Sequence, residues 1–218
     1  WKEVKPHASQ HEAWRMLLDS HKSQSMKLLS EALANDRLYD NPGRLGTFID
    51  NHDMVRFMTD TGGDLRRQEQ ALAFLFGVRG TPHIYYGTEV AMEGLGPANR
   101  NDMEWGKNPE FTQRFRQLSE LRKSSEALQY GSQVELHYDE HTYAFARVRA
   151  EEEVLCLFNK NDQPETLRFP LHAGSQIPQD GQLQDMLEAG SARIENGQLE
   201  VTLPAKGYQF LRWTRPQD

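Results

Sequence analysis

The sequence predicts an α/β region followed by an all-β region. Residues 47–49 and 80–86 have the composition of short buried strands, and each run ends in polar side chains. Residues 65–76, between these two runs, carry apolar side chains at helical spacing. Beyond residue 131 the pattern changes to short alternating runs, which are typical of antiparallel strands. We therefore expect a strand, a crossover helix and a parallel strand, followed by a β-rich half.

Three helices are predicted, at residues 25–35, 65–76 and 109–123. Met26, Leu29 and Leu33 share one face of the first helix. The third helix has clear signals at its start, because Asn108 is a favoured N-cap residue and Pro109 is a favoured first helical residue. Residues 1–22 carry weaker signals, and their apolar side chains indicate a packed turn or a short helix.

Seven runs in the second half have the alternation of strands. They cover residues 134–138, 142–149, 154–159, 166–169, 192–195, 199–203 and 208–213. Asn196-Gly197, between the fifth and sixth runs, is the strongest hairpin signal in the chain, because a tight two-residue turn needs residues that tolerate positive φ. We expect these strands to form an antiparallel β-sandwich, with residues 1–128 as a first domain and residues 129–218 as a second.

A dense polar cluster follows the first predicted strand. It consists of Asp50, Asn51, His52, Asp53 and Arg56. Active sites collect at the carboxyl ends of strands in parallel sheets and barrels. Because the second predicted strand also ends in polar groups, we expect the two strand ends to face one ligand site.

The sequence resembles the last part of an α-amylase-superfamily glycoside hydrolase. Residues 48–53, Phe-Ile-Asp-Asn-His-Asp, resemble the family motif on the seventh barrel strand, and residues 80–89 resemble the eighth strand. Residues 96–105 resemble the sugar-binding loop of the neopullulanase and cyclomaltodextrinase branch. The three matches occur in the family's order and spacing. The resemblance implies the last strands and helices of a (β/α)8 TIM barrel, strands seven and eight, followed by a C-terminal β-sandwich domain.

The resemblance also implies a retaining hydrolase of α-glucans such as starch, maltooligosaccharides, cyclodextrin or pullulan. In this family the nucleophile is an aspartate on strand four and the general acid is a glutamate on strand five. Only 47 residues precede Phe48, and no Gly-Phe-Arg-x-Asp-like segment occurs among them. We therefore expect a C-terminal fragment that is inactive alone, in agreement with a start at Trp1. The alternative is a non-catalytic amylase-like carbohydrate-binding or scaffold protein, and transglycosylation or isomerisation by the parent enzyme stays open.

Four residues carry the predicted site. The resemblance implies that Asp53 is catalytic, since it would bind hydroxyls of the cleaved sugar and favour an oxocarbenium-like transition state. His52 would donate a hydrogen bond to the same sugar. Arg56 would orient a catalytic carboxylate or contact a more distant sugar. Arg100 matches the arginine of the sugar loop, but Gly96 stands where that arginine's aspartate partner is expected. The alternatives are a loop-capping aspartate, a core histidine and a surface salt bridge for Asp53, His52 and Arg56, respectively.

Five neighbouring residues receive structural interpretations. Asp50 and Asn51 are expected to shape the turn. Tyr85 is expected to fill the barrel rather than line the pocket, and Glu89 to pair with a nearby arginine. Trp105 would either stack on a sugar face or close the barrel.

Composition excludes several classes of partner. The formal net charge is −7 and no basic run occurs, which argues against nucleic acid or an anionic membrane as a partner. The longest apolar run, residues 71–78, is too short to cross a bilayer. The lone Cys156 excludes an internal disulfide. The histidines lack metal-ligand spacing, so we expect no metal site and no cofactor in this chain. Calcium in the parent enzyme and a periplasmic or extracellular location stay open.

Two barrel strands without their neighbours present unpaired edges. We therefore expect the chain to self-associate. The β-rich half, residues 133–213, is expected to fold by itself.

Overall fold

The computed structural model describes residues 25–187, 190 and 192–216. In this part of the chain the α-helices are α1 (Lys27–Leu33), α2 (Phe57–Asp60), α3 (Leu65–Gly77), α4 (Pro109–Lys123) and α5 (Glu126–Tyr130). The packed turn or short helix expected within residues 1–22 lies outside the described residues. The three predicted helices are confirmed as α1, α3 and α4.

The first half contains the predicted parallel strand pair. Strand β1 (Gly46–Thr47) pairs with β2 (Thr81–Pro82), and α3 lies between them in the chain. Both strands are shorter than predicted. The last hydrogen bond of their ladder runs from the His83 N–H to the Thr47 carbonyl, at 2.7 Å. Gly80 introduces β2 at a φ of 99°, where an added Cβ would lie 2.5 Å from the Leu45 carbonyl oxygen. Only glycine fits this approach of the two strands.

The ends of α3 and α4 are fixed in different ways. The Asp64 carboxylate caps α3 by accepting from the N–H groups of Arg66 and Arg67 at 3.0 and 3.2 Å. Helix α4 begins at Pro109, as predicted, but Asn108 makes no side-chain cap. Instead the Asn108 amide donates to the Val90 carbonyl at 2.9 Å, while its backbone takes a left-handed φ of 48°. Asn108 therefore occupies the N-cap position, as predicted, but its side chain does not cap the helix, because a contact distant in sequence takes it.

The second half is a sandwich of two antiparallel sheets. One sheet has the order β3-β4-β5-β10-β7 and the other the order β6-β9-β8. The strands are β3 (Ser132–Tyr138), β4 (Thr142–Arg149), β5 (Glu152–Asn159), β6 (Glu165–Pro170), β7 (Gln184–Asp185), β8 (Ala192–Glu195), β9 (Gln198–Leu203) and β10 (Tyr208–Thr214). Every predicted strand is present, and β7 is the strand that the pattern missed. Asn196 and Gly197 join β8 to β9 with φ of 52° and 73°, which confirms the hairpin.

The five-stranded sheet is covered on both faces. The three-stranded sheet covers one face, around Leu155, Leu157 and Leu199. Helix α3 covers the other face, where Phe74 contacts Phe145 and belongs to the same apolar cluster. The described residues therefore form three layers, helix on sheet on sheet, and one core continues from the barrel helices into the β-rich half. The boundary at residues 128 and 129 stays a prediction.

Polar side chains also join the two halves. The Gln70 amide of α3 donates to the carbonyls of Asn159 and Gly207 at 2.7 and 3.0 Å. The buried guanidinium of Arg147 on β4 donates to the Gly77 carbonyl at the end of α3, at 2.7 Å. Since these backbone groups are removed from water, each such bond satisfies an acceptor that would otherwise be costly to bury.

Asp64 links α3 to the β-rich half and gives the fold an expected pH dependence. Its carboxylate also accepts from Lys206 Nζ at 2.7 Å. Although burial opposes the shift, the Lys206 hydrogen bond and the helix N–H groups lower the Asp64 pKa. A carboxyl whose folded pKa is lowered contributes stability above its unfolded pKa of about 3.9, and that contribution is lost as the pH falls through the lowered value.

Asp64→Ala should lower the free energy of unfolding at pH 7 by about 0.5–2 kcal/mol, since the α3 cap is lost. Asp64→Asn keeps a capping oxygen but loses the ion pair with Lys206, so its loss should be smaller. Urea unfolding at pH 7 and pH 3 measures both variants. The difference between the wild-type protein and Asp64→Asn should shrink at pH 3, and an unchanged difference would contradict this assignment.

No helix within residues 25–187, 190 and 192–216 has the length and apolar character needed to cross a membrane.

Candidate active site

The site lies on two loops, which we call the first loop (residues 50–56) and the second loop (residues 85–101). The first loop follows β1, and the second follows β2. Asp50 is buried at the start of the first loop. Its carboxylate accepts from the Phe57 N–H at 3.1 Å and from the Thr88 hydroxyl at 2.9 Å. Burial raises the Asp50 pKa, and these two hydrogen bonds oppose the rise.

Asn51 turns the chain so that the next two side chains point outward. Its amide oxygen accepts from the Asp53 N–H at 2.8 Å. Asp50 and Asn51 therefore shape the turn, as expected. His52 Nε2 lies 3.1 Å from Asp53 Oδ2, and the two side chains are 60% and 67% exposed. A core role for His52 does not fit this exposure.

Arg100 of the second loop completes the exposed cluster. Its NH2 group donates to Asp53 Oδ1 at 2.9 Å, and its Nε donates to the His52 carbonyl at 3.2 Å. The sequence left Arg100 without a carboxylate because Gly96 replaces the expected aspartate. In the structure Asp53 supplies the carboxylate. Three of the four predicted site residues thus lie together on one surface.

Arg56 does not lie on that surface, because its side chain is buried. Its side chain is fully buried, and its two amino groups donate to the carbonyls of Tyr86 at 2.6 Å and Asn99 at 3.1 Å. The guanidinium carbon also lies 4.4 Å from the centroid of the Tyr85 ring. A surface salt bridge does not describe this residue. The geometry gives Arg56 a role in holding the second loop.

Two tyrosines lie beside Arg56. The Tyr85 and Tyr86 rings meet edge to face with centroids 4.6 Å apart, and the Tyr86 hydroxyl donates to the Asn101 carbonyl at 2.7 Å. Burial raises the Tyr85 pKa. The His52 ring lies 6.4 Å from that of Tyr85. Both tyrosines therefore pack the two loops against each other.

Sequence reasoning missed Asn99. This side chain is buried, and its amide nitrogen donates to the carbonyls of Asn51, at 2.8 Å, and of Met54. An asparagine next to Arg100 in a predicted sugar loop is an ordinary surface residue by composition. Nothing in the local pattern distinguished it, because both acceptors lie more than 40 residues away in the sequence.

Two further predictions concern Glu89 and Trp105. Glu89 Oε2 is buried and has no hydrogen-bond partner among the described residues, so the expected pairing with an arginine does not involve this oxygen. Trp105 is 86% exposed and therefore closes no core in the described part of the chain.

The described residues contain no group of three or more histidine, cysteine, aspartate or glutamate side chains that could hold a metal ion. Cys156 is buried, and burial raises the pKa of its thiol well above the ordinary range. Such a thiol stays protonated and unreactive at neutral pH.

The exposed cluster has the chemistry to bind a neutral polyol. A carboxylate accepts hydrogen bonds from hydroxyl groups, whereas guanidinium and imidazole nitrogens donate them. Each Asp53 oxygen makes one described side-chain contact, to His52 or to Arg100, and a carboxylate oxygen has a second lone pair. Acceptor capacity therefore remains for the hydroxyls of a ligand.

Comparisons with known proteins show which family and which solved structures the chain resembles. Residues 1–123 match the family model of the α-amylase catalytic domain, and residues 134–210 match the maltogenic amylase C-terminal domain. A β/α-amylase of Paenibacillus polymyxa is 34% identical over 194 residues, which cover 84% of this chain and 16% of that protein. A cyclomaltodextrin glucanotransferase of Paenibacillus macerans is 34% identical over 205 residues, covering 90% of this chain and 28% of that protein.

The crystal structure of an Anoxybacillus α-amylase superposes with a TM-score of 0.82 at 25% identity, over 96% of this chain and 46% of that one. The chain thus spans less than half the length of each of these three proteins. The expected fold, a barrel portion followed by a β-sandwich, is confirmed. Because the catalytic-domain model matches more than half of its residues, this chain belongs to the α-amylase family of glycoside hydrolases.

Proposed function

We propose that this chain is the C-terminal part of a retaining glycoside hydrolase that acts on α-glucans. The observation that carries the proposal is the exposed cluster of Asp53, His52 and Arg100 at the carboxyl end of a barrel strand. The family membership supports it, since the relatives named above are amylases and a cyclomaltodextrin glucanotransferase.

In this proposal Asp53 acts on the transition state rather than on the bond itself. Its carboxylate accepts hydrogen bonds from the ring hydroxyls of the sugar that is cleaved. A negative charge held there also favours the positive charge that develops on the sugar in an oxocarbenium-like transition state. His52 donates to the same sugar. Arg100 binds the Asp53 carboxylate and presents further donors to the glucan.

We assign the nucleophile and the general acid to the part of the relatives' length that this chain does not span. A retaining mechanism needs two carboxyl groups about 5–5.5 Å apart, one to attack and one to protonate the leaving oxygen. Asp53 would be a third carboxylate beside them. The 218-residue chain alone should therefore hydrolyse no maltooligosaccharide, cyclodextrin or pullulan above background.

Asp53→Asn tests the proposal in a full-length enzyme that contains this chain. The substitution should lower kcat/KM for maltoheptaose by about 100-fold or more, because a preorganised charge at the transition state is lost. The melting temperature should stay close to that of the wild-type enzyme, since Asp53 is exposed. Asp40→Asn is the matched control, because it removes an exposed carboxylate that lies outside the two loops.

A variant that loses only thermal stability would show that Asp53 caps the loop and does not act on substrate. A full-length protein that binds maltoheptaose without hydrolysing it would favour the non-catalytic, carbohydrate-binding alternative.

We also propose that the isolated chain self-associates. The sheet formed by β1 and β2 has two strands in the described residues, so each strand has one unpaired edge. Sedimentation velocity on the dilute chain should therefore show dimers or larger species. A well-folded monomer at every concentration tested would contradict this expectation.

A further inference from the structure

The first and second loops are held together by the side chains of Asn99, Arg100 and Arg56. Asn99 and Arg100 are adjacent in the second loop, but they point in different directions. Asn99 is 2% exposed, whereas the Arg100 side chain is 61% exposed. One residue therefore reaches into the protein and its neighbour reaches across the surface.

Both residues bind the backbone of the first loop around His52 and Asp53. The Asn99 amide donates to the Asn51 carbonyl at 2.8 Å and also to the Met54 carbonyl. Arg100 donates to the His52 carbonyl between them at 3.2 Å. Three of four consecutive carbonyl groups are thus held by two adjacent side chains.

Arg56 makes the reciprocal contacts from the first loop to the second. Its buried guanidinium binds the Tyr86 carbonyl at 2.6 Å and the Asn99 carbonyl at 3.1 Å. Its N–H donates to the Gly94 carbonyl at 3.0 Å. Asn99 therefore accepts through its backbone from the loop that its side chain holds. Since the Arg56 guanidinium and Asn99 are buried, the hydrogen bond between them is costly to lose.

We propose that Asn99 is a positioning residue for Asp53. Its amide fixes the backbone on both sides of the His52-Asp53 pair, so that the Asp53 carboxylate is presented in one geometry to the sugar. This inference rests on the proposed function of Asp53. Functional groups need placement to within about 0.5 Å, which buried hydrogen bonds to the supporting backbone provide.

A positioning role and a core-filling role predict different effects when Asn99 is replaced. Asn99→Asp keeps the shape of the side chain. It replaces the amide nitrogen, which donates to two carbonyl oxygens, with a carboxylate oxygen that can only accept. Asn99→Ala removes the amide without adding a charge. Asn41→Asp is the matched control, because it makes the same chemical change at an exposed position outside the two loops.

Hydrogen exchange on the full chain is the first measurement. The amides of Asp53, Met54 and Arg56 are bonded within and between the loops. In both Asn99 variants these amides should exchange about tenfold faster or more, whereas β5 keeps wild-type rates because local opening does not require global unfolding. Asn41→Asp should match the wild-type chain throughout. Unchanged loop amides would overturn the proposal. Equal loosening of all regions, or failure of Asn99→Ala to fold, would also overturn it, because Asn99 would then support the core and not the loop.

Binding of maltoheptaose by the same chain, followed by NMR titration, is the second measurement. Asn99→Asp should weaken binding about tenfold in the wild-type background and have no further effect in an Asp53→Asn background, because both changes act through the same carboxylate. Additive losses would overturn the positioning role. A wild-type chain that binds no maltoheptaose would count against the proposed glucan site, while the exchange rates would still decide the role of Asn99.

Discussion

Phe74→Ala is expected to lower the free energy of unfolding by about 3–5 kcal/mol. The Phe74 ring is buried in the core shared by α3 and the five-stranded sheet. It meets Phe145 and Phe158 edge to face, with centroids 5.9 and 5.4 Å away. Truncation to alanine loses the transfer free energy of the ring and leaves a cavity that a sheet and a helix cannot close.

Urea unfolding followed by circular dichroism measures this loss. Phe74→Leu is the control, because it keeps most of the apolar volume and should cost much less than alanine. The helical and β signals should disappear in one transition in all three proteins, since one core joins the two halves. A loss below about 1 kcal/mol for Phe74→Ala would contradict this account, because such values are typical of exposed sites.

The same core revises the expectation that residues 133–213 fold alone. The sheet face that α3 covers includes Tyr143, Phe145, Phe158 and Phe210. A fragment without α3 would expose these rings as one apolar patch. Patches of this kind promote association. We therefore expect the separated β-rich half to aggregate or to bind hydrophobic dyes.

Arg122→Leu is expected to destabilise the chain by about 3 kcal/mol or more. The buried guanidinium on α4 donates to the carbonyls of Phe76 at 2.7 Å, Val78 at 3.0 Å and Gly80. These carbonyls end α3 and lead into β2. Burial lowers the Arg122 pKa to about 10, so the group is still charged at neutral pH. Leucine would relieve the cost of burying a charge but would leave three acceptors without their donor.

The balance should favour the arginine, because each unsatisfied buried acceptor costs about 1–3 kcal/mol. Arg116→Leu provides the control, since it removes an exposed arginine from the same helix and should change stability by about 0.5 kcal/mol or less. Chemical denaturation compares the two variants. Equal losses would show that Arg122 contributes as a surface charge and not through the three carbonyls.

Local signals in the sequence predicted part of the fold. Apolar spacing predicted α3 and α4, and Asn196-Gly197 predicted the β8–β9 hairpin. These predictions succeed because a helical face or a tight turn depends on residues a few positions apart. The polar run after β1 also predicted where a site would lie. The change from apolar to polar residues that marks the end of a strand is a local signal.

The hydrogen-bond partners of the site residues depend on long-range contacts. Arg100 pairs with Asp53 across 47 residues of sequence, and Asn99 holds Asn51 across 48. Arg56 is buried beneath the site rather than exposed in it, and the Asn108 side chain binds the Val90 carbonyl instead of the first turn of α4. No local pattern encodes these contacts. They exist because α3 returns the chain so that the ends of two parallel strands, and the loops that follow them, meet at one edge.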